Sequence, residues 1–203
     1  MSDRQVALTF DAEHPSRRKC PPGNDHAILD VLAGSGIRAT FFVQGRWATA
    51  YPETARRIVR EGHLVGNHSD YHAPMQFLTD AGIECDVRKA EDGIRTVAGS
   101  DPRPWFRCPF GEMGTDDRVA AVLRSLGYRA VGWDVDGSDW DERRTASDVE
   151  NTVVQGVIAR PDAPIVLLHT WPEPALRALP SIVGRLKREG YGFVTVDAAL
   201  DAR

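Results

Sequence analysis

The sequence predicts an α/β fold, an irregular (β/α) barrel of about seven parallel strands forming a single domain over residues 1–203. Three observations lead there. Short apolar or β-branched runs alternate with longer amphipathic segments from end to end, as repeated βα units require. The longer segments carry helix start and stop signals. The first strand is followed by no glycine-rich phosphate turn; it ends in Asp11-Ala12-Glu13-His14, an acidic run that would repel a pyrophosphate, which favours a barrel over an open doubly wound sheet.

The elements follow in chain order. A strand over Val6 to Phe10 precedes a helix near Asp25 to Ala33, and a strand over Ala39 to Val43 precedes a helix over Pro52 to Glu61. His63 to Gly66 reads as the third strand, followed by a helix over Asp80 to Val97. Trp105 to Arg107 is the fourth, and Thr115-Asp116-Asp117 caps the start of a helix running from Asp116 to Leu126. Tyr128 to Trp133 and Ile165 to Leu168 are strands separated by a helix over Ala146 to Ala159. A helix over Pro174 to Glu189 leads to a last strand, Phe193 to Val196. Gly62, Gly127 and Gly190 each follow an apolar-periodic run, where a left-handed terminating residue is expected.

Composition narrows the function classes. With 203 residues, 42% hydrophobic and 27% charged, the chain can bury one substantial core. A formal charge of -4, with basic residues scattered among acidic ones, excludes the basic footprint of a nucleic-acid binder. No stretch approaches the ~20 apolar residues of a membrane span, and the N-terminus carries no apolar leader, so the expectation is a cytoplasmic protein. Cys20, Cys85 and Cys108 are an odd set without zinc-finger spacing, read as reduced thiols, with Cys108 a small buried hydrophobe beside a proline.

Five segments at predicted strand ends carry chemistry, and a barrel gathers such ends on one face. His68 and His72, in Asn67-His68-Ser69-Asp70-Tyr71-His72, are four apart, a spacing that places two imidazoles on one face of a helical turn and lets them share a metal ion. Asp11 and Glu13 are separated by one residue, so in extended chain both point to the same side; one can bind metal while the other takes a proton. Arg107 follows a strand and can hold Asp11 charged and oriented. Trp133 to Trp140 contributes Asp134, Asp136, Asp139 and two tryptophans, either a wall of the site or a solvated acidic loop, with the tryptophans favouring the wall. His169 ends an apolar strand, where burial and nearby carboxylates act on its pKa; it is a candidate general acid.

In this order and at these intervals the five segments resemble the signature motifs of the NodB homology domain, carbohydrate esterase family 4. Ile37 to Gly45 is similar to the family's second-strand segment, so the likeness spans roughly residues 5 to 198. The resemblance implies a metal-dependent hydrolase that removes an N-acyl, chiefly N-acetyl, group from an amino sugar or related small amide. It makes Asp11 the catalytic base, Arg107 its partner, His68 and His72 metal ligands, and His169 the acid that protonates the departing amine, oriented by Asp139. Trp140 would line the site, Leu167 would contact the acyl methyl, and the backbone N–H of Phe110 falls where the family has an oxyanion donor.

The chain departs from the family where two adjacent aspartates and a glycine are usual. Ala12 cannot bind metal, and Glu13 takes that role as in superfamily branches whose acidic ligand lies two residues after the base; His14 is the competing ligand. A tyrosine usual in the family is Phe110 here. The cofactor implied is one divalent ion, Zn²⁺, with Co²⁺ or Ni²⁺ as substitutes. The implied partner is a small-molecule or oligosaccharide N-acyl substrate, with no nucleic acid and no membrane span; the oligomeric state stays open. Two further readings stand beside this one: a cyclic amide or imide hydrolase of the allantoinase-like kind, and a catalytically silent carbohydrate- or partner-binding protein that lost its metal through Ala12.

Overall fold

A computed structural model describes residues 4–13, 23–111, 116–160 and 162–203. The central strand is β1 (Gln5–Ala12), flanked on one side by β7 (Ile165–His169) and on the other by β2 (Thr40–Val43). Beyond β2 come β3 (Leu64–Asn67), β4 (Trp105–Phe106) and β5 (Arg129–Ala130); beyond β7 comes β6 (Val135–Asp136). All these pairings are parallel. β8 (Gly192–Val194) pairs with the first half of β1, below β2. β5 and β6 lie at opposite ends of this path yet are joined by residues 131–134 alone, a span of roughly 17 Å at full extension. The sheet therefore curls until its two edges nearly meet, the irregular barrel expected from the sequence.

Helices α1 (Asn24–Ser35), α3 (Pro52–Arg60), α4 (Asp80–Ala98), α5 (Asp117–Ser125), α6 (Ala146–Ile158) and α7 (Glu173–Arg188) fall where the sequence places them. Two short ones, α2 (Gly45–Ala50) and α8 (Val196–Asp201), were not anticipated. The span read as one strand over Tyr128 to Trp133 is shorter, and β6 is an additional strand after it. Val196 opens α8 and does not end β8; its N–H is tied to Thr40 Oγ1 at 3.0 Å. Asp116 caps α5 by accepting from the N–H groups of Arg118 and Val119, whereas Thr115 lies outside the described residues, as do His14 and Cys20. Gly62, Gly127 and Gly190 take φ of 79°, 81° and 84°, as predicted.

Period-two alternation along β1 separates core from site. Val6, Leu8, Phe10 and Ala12 join the apolar layer shared with α1, α6 and α7, while Ala7, Thr9 and Asp11 face the barrel interior. A side chain at residue 12 thus points away from Asp11, and the next carboxylate on the Asp11 side is Glu13. On β3, Gly66 leaves room for Phe42, whose ring lies 4.1 Å from the Arg107 guanidinium carbon; a β-carbon at residue 66 would sit 2.6 Å from that ring and 3.1 Å from the Trp105 carbonyl oxygen. Gly66→Ala is therefore expected to lower unfolding free energy by about 1–3 kcal/mol, read as a lower urea midpoint with unchanged m-value.

Candidate active site

The parallel register that pairs Asp11 with His169 sets their side chains on one face of adjacent strands, at the carboxyl end of the sheet. One pair further round, Asn67 opposes Phe106, so the residues that follow, His68 and Arg107, also meet. His68 Nδ1 lies 2.8 Å from the Arg107 carbonyl oxygen, which can only accept; the ring proton is thereby fixed on Nδ1 and Nε2 presents its lone pair to the site.

Arg107 is fully buried. It donates to Asp11 Oδ1 at 2.8 Å, Thr9 Oγ1 at 2.8 Å, the Gly132 carbonyl at 3.0 Å and the Val131 carbonyl at 3.4 Å. Phe42 lies on its guanidinium at 4.1 Å and Trp133 at 5.6 Å. This network offsets the desolvation of a buried charge and fixes Asp11 with Oδ1 on the arginine and Oδ2 3.5 Å from His68 Nε2.

The His68–His72 segment corrects one expectation. It is not a helical turn: Ser69 and His72 have φ of 61° and 57°, and the segment is a loop. Side chains hold it in that shape. Asn67 Oδ1 accepts from the Ser69 N–H at 2.8 Å, Ser69 Oγ accepts from the His72 N–H at 2.9 Å, and the buried Asp86 carboxylate on α4 accepts from the N–H groups of Asp70 and Tyr71. The result still brings the imidazoles together, with ring centroids 4.9 Å apart.

Glu13 completes a cluster with them. Its Oε2 lies 2.7 Å from His72 Nε2 and 3.3 Å from His68 Nε2, and one ligand atom from each of Glu13, His68 and His72 falls within 4.8 Å of the others. One carboxylate and two imidazoles converging in this way fit a divalent ion that keeps an open position. The electrostatics agree. Burial alone would keep His68 neutral, but Asp11 and Glu13 outweigh it and raise its pKa, so the cluster favours positive charge.

Opposite Asp11, His169 Nδ1 lies 2.8 Å from Asp139 Oδ1, and Asp139 Oδ2 accepts the His169 backbone N–H at 2.8 Å. Burial works against the imidazolium, yet the ion pair with Asp139 prevails, with Glu13 and Asp11 contributing, and the pKa rises to about 9. The acidic segment divides. Asp139 serves His169, Asp136 lines the cavity and accepts from the Ser138 N–H, and Asp134 turns away to Ile165 N and Arg203. Trp133 and Trp140 both line the cavity, whose volume is about 380 Å³. Leu167 and Cys108 line it as well; Phe110 stands at its edge, 63% exposed with φ of 60°, its ring 4.6 Å from that of His72. Sequence reasoning missed Ser69, Asp86 and Trp171. The first two act through backbone N–H groups in an irregular loop, for which no periodic signal exists.

A family model described as Polysaccharide deacetylase matches residues 1–131. The chain belongs to this family. It is 30% identical over 196 residues to the peptidoglycan-N-acetylglucosamine deacetylase PgdA of Listeria monocytogenes, an alignment covering 97% of this chain and 39% of that protein. It is 30% identical over 199 residues to the chitooligosaccharide deacetylase of Azorhizobium caulinodans, covering 98% of this chain and 89% of the other. Among solved structures, BA3943 from Bacillus anthracis superposes with a TM-score of 0.86 at 27% identity, covering 98% of this chain and 66% of that one. That protein is described as a pseudoenzyme of carbohydrate esterase family 4, and a mutant of it has restored enzymatic activity. Membership of the polysaccharide deacetylase family therefore gives the fold, while activity has to be argued from the site. Among the described residues no helix is long and apolar enough to cross a membrane.

Proposed function

We propose that this polysaccharide deacetylase homologue is a metal-dependent hydrolase that removes the N-acetyl group from an N-acetylglucosamine-type unit of an oligosaccharide or glycan. The observation that carries the reading is two buried ion pairs, Asp11 with Arg107 and His169 with Asp139, both beside the Glu13–His68–His72 cluster, where one can serve as base and the other as acid. A binding module has no need of both. The silent reading is further weakened because Glu13 supplies the carboxylate that Ala12 lacks. The Listeria and Azorhizobium relatives are named for acetylated amino sugars, which favours deacetylation over ring opening of a cyclic amide.

Glu13, His68 and His72 would hold a divalent ion, with zinc the best match to that donor set, and it would supply Lewis acidity for polarising the amide and activating a water. Asp11 takes the proton of that water through Oδ2 while Arg107 retains Oδ1. The water oxygen bonds to the carbonyl carbon, and the carbon–nitrogen bond breaks as His169 Nε2 gives its proton to nitrogen, leaving acetate and a free amine. The Phe110 N–H is the proposed oxyanion donor, Leu167 the contact for the acyl methyl, and Trp140, half exposed at the cavity mouth, a face for the sugar ring.

Acetate release separates the readings. A chitooligosaccharide should yield acetate and amine in equal amounts, and cyclic imides should be left intact; ring opening without acetate would reverse the assignment. The acid has its own signature. The Asp139 ion pair favours the protonated form of His169, so activity should fall on the alkaline side as rising pH removes that proton. Asp139→Asn removes the ion pair that raises this pKa, and the alkaline limb of the kcat profile is expected to move to lower pH. An unmoved limb would remove His169 from the role.

A further inference from the structure

Among the described residues, the Glu13 carboxylate is held from two directions. Oε2 faces the imidazoles, whereas Oε1 accepts the indole N–H of Trp171 at 3.1 Å. We infer that Trp171 is a positioning residue of the metal centre, one that occupies Oε1 and commits Oε2 to the ion. The inference rests on Glu13 being a metal ligand.

Three observations carry it. The first is register. β1 and β7 run parallel with Asp11 opposite His169, and the ladder continues through the Thr170 N–H to the Asp11 carbonyl at 3.1 Å. Just past both strand ends, two residues beyond Asp11 and His169, Glu13 and Trp171 meet through the Oε1–indole contact. A carboxylate ligand two residues after the base and an indole two residues after the acid are thus a matched pair.

The second is competition. His169 Nε2 lies 3.9 Å from the same Oε1. A glutamate has one more torsion than an aspartate and loses more rotamer freedom when fixed. Without the indole N–H, the carboxylate is freer to turn toward His169 Nε2 and away from the ion. The indole is a neutral donor: it holds the oxygen without neutralising the charge that a cation needs.

The third is that Trp171 is itself fixed. It is 9% exposed, its ring lies 5.7 Å from that of His169, and its carbonyl accepts from Nδ2 of the buried Asn24 at 3.1 Å. The N-terminus of α1 therefore anchors the tryptophan, and the tryptophan anchors the ligand.

Trp171→Phe keeps an aromatic ring and removes the N–H. Zinc titration of metal-free protein by calorimetry is expected to show affinity about 10–100-fold weaker than wild type, the range typical of losing an outer-shell partner, with the melting temperature of the metal-free protein nearly unchanged. In a Glu13→Ala background the same change should leave the residual affinity unaltered, because its effect runs through Glu13. Equal losses in both backgrounds, or wild-type affinity in Trp171→Phe, would overturn the inference. Wild-type protein that takes up no zinc, or Glu13→Ala that binds zinc as wild type does, would instead defeat the metal assignment beneath it.

Discussion

Asp11→Asn is expected to lower kcat by roughly 10²–10⁴-fold while leaving the metal content unchanged. The substitution is nearly isosteric, and a carboxamide oxygen still accepts from Arg107, so the geometry at 2.8 Å can persist. What disappears is a group able to take a proton from water. Arg107 also loses its charged partner within a site where it is fully buried, although Thr9 Oγ1 and the carbonyls of Val131 and Gly132 remain as acceptors. Removing one member of a buried pair outright typically costs about 3–5 kcal/mol, and a retained hydrogen bond should keep the cost below that. Circular dichroism and a urea titration distinguish an unfolded variant from an inactive one. Wild-type kcat in folded Asp11→Asn would assign the base to another group.

Glu13→Ala is expected to abolish metal retention and activity together. Among the described residues, it removes the carboxylate that lies within reach of both His68 Nε2 and His72 Nε2, so the loss of affinity should exceed the ~10–100-fold typical of an outer-shell change. Elemental analysis after dialysis against dilute chelator should read near one ion per chain for wild type and close to none for the variant. Activity should return in part at high zinc concentration, since the two imidazoles remain. Full metal retention by Glu13→Ala would move the third ligand elsewhere.

Strand-end chemistry was legible from the sequence because parallel strands in a βα series must bring their carboxyl ends to one face. Asp11, His68, Arg107 and His169 follow from that rule and meet as expected. Glu13 follows from the two-residue period, which also explains why residue 12 is apolar: its side chain enters the layer beneath α1 and α7. Less visible was anything set by irregular backbone. The pairing of His68 with His72 suggested a helical turn, but the turn is a loop with two left-handed residues, held by Asp86 from a helix sixteen residues along. Trp171 lies 158 residues from Glu13, and only the β1–β7 register connects them. Among the secondary elements, α2, α8 and β6 were missed because two to six residues are too few to display a period.

The proposed reaction is release of acetate from an N-acetylated sugar by Asp11 and His169 beside a divalent ion at Glu13, His68 and His72. Its most direct test is acetate release from an N-acetylglucosamine oligomer by zinc-loaded protein, followed through chelation and readdition of zinc. Acetate equimolar with free amine, abolished by the chelator and restored by zinc, is the predicted result. Acetate release that continues unchanged after the ion has been removed, or none from protein carrying one zinc per chain, would contradict it.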